Sequence, residues 1–253
     1  MAPVNIKPED VVISEIKYDS EIKEKDTTKT IRISYKDEHS FNMRLPKMLV
    51  PFGLTDNKRF LKEPIDPKAI RYFFEVELNT EDPAIMKLKK LIEDIDDRNI
   101  QHLAANSLKI YGKTMTEDYI RENDKYKSSI AVSLDENKQK STKYHDRLRI
   151  SVPIFKGPGF QVFKDGAELN FYNPETNLID WTWAQKRMTI IPMIQSEGLM
   201  ISKLGSSGKW RLTGLLIKGY SNNRLDISQF EDEEIPRPMP ELVSNDNLEV
   251  EDD

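Results

Sequence analysis

Five cations and two rings crowd the segment from Lys138 to Arg149: Lys138, Lys140, Lys143, Arg147 and Arg149, with Tyr144 and His145 among them. Side chains of these two kinds complement a single nucleic-acid strand, because cations neutralise phosphates while ring faces stack on bases. Lys125, Tyr126 and Lys127 lie just upstream. Two further segments repeat the combination. Trp181 and Trp183, on one face of an extended segment by alternation, are followed by Lys186 and Arg187. Lys209, Trp210 and Arg211 follow the run Gly205-Ser206-Ser207-Gly208, with Lys203 across the hairpin expected there. Each segment also has a plainer reading, as a solvated loop around its cations or as core packing of its tryptophans.

Other chemistries find little to work with. The chain has no cysteine, which excludes thiolate zinc sites, iron–sulfur clusters and a cysteine nucleophile. Gly112-Lys113-Thr114 echoes a phosphate loop, but the glycine required five positions earlier is Ser107, so the run reads as a helix end. His39, His102 and His145 are scattered without ligand spacing. Glu93, Asp94, Asp96 and Asp97 fall between apolar helix positions and are expected on a solvated face. No catalytic residue, metal or cofactor is expected, and the chain does not read as an enzyme.

The elements that must position the cations and rings are mostly strands. Period-two alternation predicts strands over Val11 to Ile16, Thr30 to Tyr35, Arg71 to Leu78, 128–134, 147–155, 181–183, 188–194, 198–204 and 209–220. Residues 159–163 and 167–172 flank Asp165-Gly166, a type I′ hairpin signal. The prolines and glycine between Met43 and Lys68 predict loops or short edge pieces. One long helix is predicted from Pro83 to Ile110, capped by Asp82, with Ile85, Leu88, Leu91, Ile92 and Ile95 on its apolar stripe, followed by a short helix over Glu117 to Asn123.

Charge divides the chain at its end. Residues 231–253 hold ten acidic side chains and one basic, Arg237, a net of −9; taken from the total of −5, this leaves +4 on the first 230 residues. The expected organisation is one binding domain over 1–230 and a disordered acidic tail over 231–253. No stretch reaches the ~20 apolar residues of a membrane span, and a cytoplasmic or nuclear location is expected.

Many strands interrupted by one long helix, the hairpin GLMISKLGSSGKWRLTGLLIKGY and the end EDEEIPRPMPELVSNDNLEVEDD together resemble replication single-stranded-DNA-binding proteins with an OB-fold core, especially those of phages and large cytoplasmic DNA viruses. The resemblance implies an elaborated OB-like β-barrel, mainly β, with extra strands around residues 45–70 and 165–185. It implies sequence-nonspecific binding of single-stranded DNA in replication, recombination or repair. The residues expected to carry it are Lys138, Lys140, Lys143, Tyr144, Arg147, Arg149, Trp183, Lys186, Arg187, Lys209, Trp210 and Arg211, with the cations positioning phosphates and the aromatics stacking on bases. Partners expected are single-stranded DNA, with RNA as the alternative, replication proteins reached through the acidic tail, and further copies of the chain along DNA. The competing expectation is a viral structural or assembly protein with a β-sandwich core.

Overall fold

In the computed structural model, residues 5–25, 27–36, 38–64, 69–154, 157–176 and 178–220 are described. The acidic segment 231–253 lies outside them.

Alternation sets the architecture. The strands run β1 (Ile16–Lys25), β2 (Thr28–Tyr35), β3 (Asn42–Arg44), β4 (Met48–Val50), β5 (Leu54–Asp56) and β6 (Tyr72–Glu77) before the helices, then β7 (Ile130–Ala131) and β8 (Arg147–Val152). They continue through β9 (Gln161–Lys164), β10 (Ala167–Glu168), β11 (Tyr172–Asn173) and β12 (Leu178–Ile179) to the long β13 (Met188–Ser202) and β14 (Gly205–Tyr220). Twelve strands share one sheet whose main path is β1-β2-β13-β14-β8-β6-β5, while β11 and β12 pair separately. β4 is hydrogen-bonded to β13 and also packs against β6. The path β13-β14-β8-β6 therefore curls back on itself, as a barrel wall does, and does not split into the two facing sheets of a sandwich.

Inward positions along this wall are Phe74, Val76, Leu148, Ile150, Ile194, Trp210 and Leu212, all buried. The protein is mainly β with one long helix, α1 (Pro83–Ala105). Asp82 caps it as expected, accepting from the amides of Ala84 and Ile85, and Ile85, Leu88, Leu91, Ile92 and Ile95 form its buried stripe. The helix ends earlier than its periodicity suggests. Asn106 turns its side chain onto the His102 carbonyl, and a separate α2 (Ser107–Tyr111) follows, closed by Gly112 in the left-handed conformation. Leu108, expected on the apolar stripe, is exposed. The short helix α3 spans Glu117–Glu122.

Several expected elements differ: 188–194 and 198–204 are one strand, β13, and 167–172 keeps only Ala167–Glu168 in the hairpin. Most of Val11 to Ile16 is not strand: Ile13–Glu15 form a 3₁₀ turn, held where the Val12 amide donates to the Tyr35 hydroxyl at 3.0 Å. Of residues 128–134 only Ile130–Ala131 pair as strand, because Ser128 and Ser129 turn toward Asp96 instead. Residues 181–183 form a turn, closed by the Ala184 amide donating to the Trp181 carbonyl at 2.9 Å. The run Gly205–Gly208 lies inside β14, and the hairpin tip is Lys203-Leu204, since Ser202 pairs with Gly205. By contrast, Asp165 and Gly166 take the positive φ values of the expected hairpin, 52° and 84°.

Candidate nucleic-acid interface

The outward positions of the same wall hold the cations. On β8, alternation sends Leu148, Ile150 and Val152 to the core and leaves Arg147, Arg149 and Ser151 facing out. On β14, Trp210 and Leu212 turn inward while Lys209 and Arg211 face out. The two strands pair in parallel with Arg211 opposite Ser151, so segments about sixty positions apart in sequence meet. On β6, Glu75 stands opposite Arg149 and Glu77 opposite Arg147, with Phe73 opposite Ser151.

Glu75 organises this face. Its carboxylate is nearly inaccessible and accepts from Arg149 Nη2 at 2.6 Å and Nε at 3.1 Å, while Arg147 Nη1 approaches its other oxygen at 3.5 Å. Each guanidinium also lies over a ring: Arg149 is 4.5 Å from the centroid of Phe73 and Arg147 is 5.1 Å from that of Phe52. Lys209 completes the cluster. Partial desolvation pushes its ammonium below the usual lysine range, and the nearby charges of Arg149 and Lys127 push the same way, against Glu197. Arg211 Nε donates to Gln195 at 2.8 Å and Ser151 donates to Glu197 at 2.9 Å. The result is a wall on which cations outnumber carboxylates and two of them rest on rings.

The segment 135–146 enters this face at the Arg147 end of β8. Asp146 anchors it: its carboxylate accepts from the Ser133 amide at 3.2 Å and pairs with Lys140 at 3.4 Å and Lys89 at 3.8 Å. Lys138 is exposed with a φ of 61°. Lys143 sits 5.4 Å from the ring of Tyr144, which is 58% exposed and available to stack.

The tryptophans correct the sequence reading. Trp183 and Trp210 are 5% and 4% exposed, so no base can lie on them. Trp183 packs among Phe74, Phe160 and Phe171, and Trp210 meets Phe41 edge-on. A ring large enough to stack on a base is also large enough to fill a barrel, and here the barrel takes both. Lys186 and Arg187 are exposed, with the Arg187 amide fixed to the Val50 carbonyl at 2.8 Å. Tyr126 belongs to the interior as well: its hydroxyl donates to Asp96 at 2.6 Å. Asp96 itself is buried, contrary to the solvated helix face expected for its cluster.

Sequence reasoning missed Phe52, Phe73 and the pair Arg59-Phe60. Phe73 had a signal, since in Tyr72-Phe73-Phe74-Glu75 adjacent aromatics must point to opposite faces. Phe60 is 72% exposed with the Arg59 guanidinium 4.6 Å from its centroid, in the connection between β5 and β6. That connection enters β6 at Tyr72, opposite Val152, whereas segment 135–146 enters β8 at Arg147, opposite Glu77. One ring-and-cation pair thus stands at each end of the β6–β8 ladder.

No protein-family model matches the chain, and no curated protein matches it. Among solved structures it is similar to the single-stranded DNA-binding protein from bacteriophage Enc34 in complex with ssDNA, at 11% identity and a TM-score of 0.39 over 78% of this chain and 92% of that one. It is also similar to gp2.5, a single-stranded DNA binding protein encoded by bacteriophage T7, at 9% identity and a TM-score of 0.42 over 77% of this chain and 97% of that one.

Proposed function

We propose that this chain binds single-stranded DNA without sequence preference, and without catalysis, along the outward face of β6, β8 and β14. One observation carries the reading: Arg147 and Arg149, gathered on the buried carboxylate of Glu75 beside Phe52 and Phe73, share one outward face with Lys209 and Arg211 from a distant segment. Guanidinium groups and ring faces meet features every nucleotide has, which is why the proposed preference is for single strands and not for a sequence. Lys138, Lys140, Lys143 and Tyr144 extend the path at one end, and Arg59 and Phe60 at the other. Service in DNA replication, recombination or repair belongs to the same proposal. So does a tail over 231–253 that competes with DNA for the cations and engages replication proteins, since its net charge of −9 opposes the +4 of the rest.

The test is fluorescence anisotropy of a labelled strand of about 25 nucleotides, long enough for an OB-sized site. Intrinsic tryptophan emission is a weaker reporter, because Trp183 and Trp210 are covered and Trp181 is partly buried. Binding at low salt that weakens log-linearly with salt, and that a duplex competes for poorly, is the expected result. No binding of DNA or RNA at low salt sinks the proposal. Removing residues 231–253 should raise affinity; unchanged affinity removes the tail from it.

A further inference from the structure

The cationic wall does not end at Arg211. Two residues further along β13 from Gln195, about 7 Å away along the strand, the outward face becomes apolar and opens into a cavity of about 310 Å³ lined by Arg44, Phe163, Gly166, Ile191, Met193 and Leu216. Four strands build it in register. Arg44 stands opposite Met193 and Met193 opposite Gly214, while Leu216 lies between Ile191 and Phe163. Gly214 keeps its floor open, since a Cβ there would come within 2.7 Å of the Met193 methyl carbon. Arg44 is exposed at the rim.

We infer that this cavity receives one nucleobase of the bound strand, turned out of the path that crosses Lys209 and Arg211. The inference rests on the single-strand reading above. Its size falls at the lower end for ligand pockets, suited to one ring system and not to a whole cofactor. Apart from Arg44 and Gly166 its lining is apolar, with one aromatic ring, Phe163, on which any base could stack. The guanidinium of Arg44 and the adjoining Arg211 row supply positive charge where the phosphates flanking that base must pass. An apolar side chain of a partner protein would fit the lining too, but would have no use for the arginine row that leads to it.

Two strands of equal length separate base capture from backbone contact: one of thymidines, the other of abasic sugar-phosphate units. Phe163→Ala in the full chain should weaken binding of the thymidine strand about tenfold, the scale of one lost stack, and leave the abasic strand's affinity within twofold. Phe163→Tyr, which keeps a ring, should restore the thymidine value. Arg44→Ala, at an exposed position where folding is not at stake, should weaken both strands. Equal losses on both strands in Phe163→Ala, or none on either while the wild type binds tightly, overturn base capture and leave the single-strand reading intact. Concentration-dependent self-association of the wild type in sedimentation, abolished by Phe163→Ala, would assign the cavity to a second copy of the chain instead. A wild type that binds neither strand removes both readings together.

Discussion

Two carboxylates in this protein are almost equally buried, Asp96 at 6% and Glu75 at 7% exposure, yet the chain surrounds them in opposite ways. Asp96 is met by neutral donors alone: Tyr126 Oη at 2.6 Å, Ser128 Oγ at 2.7 Å, and the amide and hydroxyl of Ser129 at 3.0 and 3.2 Å. Tyr126 in turn accepts from Asn99 and from the Gly208 amide, and Tyr18 donates to Asn99. The network ties α1 to β1 and β14 and places no charged donor beside Asp96. Burial holds the Asp96 carboxyl above the usual range, and its four donors pull it back only in part. Glu75 is met by two arginines that remain partly exposed, so the same expense of burial fixes cations at the surface. The neutral donors around Asp96 make a joint; the arginines around Glu75 are held at the surface, where the proposed strand would meet them.

The strongest way to break this contrast is at Asp96. Asp96→Ala leaves several buried donors without an acceptor and should destabilise the fold by about 3–4 kcal/mol. Urea denaturation measures the loss, and the DNA affinity of the protein that remains folded should stay within twofold. A large affinity loss without a stability loss would reverse the roles assigned to the two carboxylates.

The next largest effect belongs to the other carboxylate's partners. Arg149→Gln keeps an amide to donate to Glu75 and removes the charge, and Arg211→Gln does the same beside Gln195. The double variant should bind single-stranded DNA about 30–150-fold more weakly, at about 1–1.5 kcal/mol per contact. Its salt dependence should become shallower by about 0.7 per lost phosphate contact. Anisotropy titrations at several salt concentrations read both quantities; an unchanged salt slope would show that these arginines serve only Glu75 and Gln195.

Smaller still are the rings at the two ends of the β6–β8 ladder. Tyr144→Ala and Phe60→Ala should each cost about 5–10-fold in affinity, near the lower limit for one stacked base. Because the two positions lie at opposite ends, the losses should add in the double variant. Losses for one end only would shorten the proposed path to the other half of the ladder.

How much of this was legible depended on whether a residue's neighbours lie in its own element. Alternation along Arg147–Val152 assigns Arg147 and Arg149 outward from the sequence alone, and the cap at Asp82 is equally local. That Arg149 meets Lys209 is not local. It depends on β8 lying parallel to β14, a pairing that no hairpin signal encodes. β1 escaped notice because an edge strand of sequence IKYDSEIKEK carries charges on its exposed face and little apolar alternation. Asp96 looked solvated because its helix position is flanked by charges, and only the folding of Tyr126 and Ser129 onto it made it a core residue. The tryptophans show the same limit from the other side. Composition identifies a large ring beside cations, but whether its face is open or covered is decided by which strands close over it.

The finest distinction concerns Lys209, a cation of the wall that burial and neighbouring charge push below lysine's ordinary 10.5. In the free protein its charged form is disfavoured by partial desolvation first, then by Arg149 and Lys127. The unfolded chain, lacking these neighbours, holds that proton more tightly, so Lys209 lowers stability at neutral pH, and this penalty fades as pH rises from its depressed value to the ordinary one. A bound phosphate has the opposite sign: it favours the ammonium, so binding takes up a proton in the alkaline range between the depressed value and the ordinary one. Affinity should therefore fall a few-fold across that range, and Lys209→Arg, which cannot deprotonate there, should flatten the profile. Anisotropy titrations in buffers stepped from neutral toward pH 10.5 make the comparison. Parallel profiles for the two proteins would mean that phosphate never reaches Lys209, and would move the strand's path off β14 and onto the arginines of β8 alone.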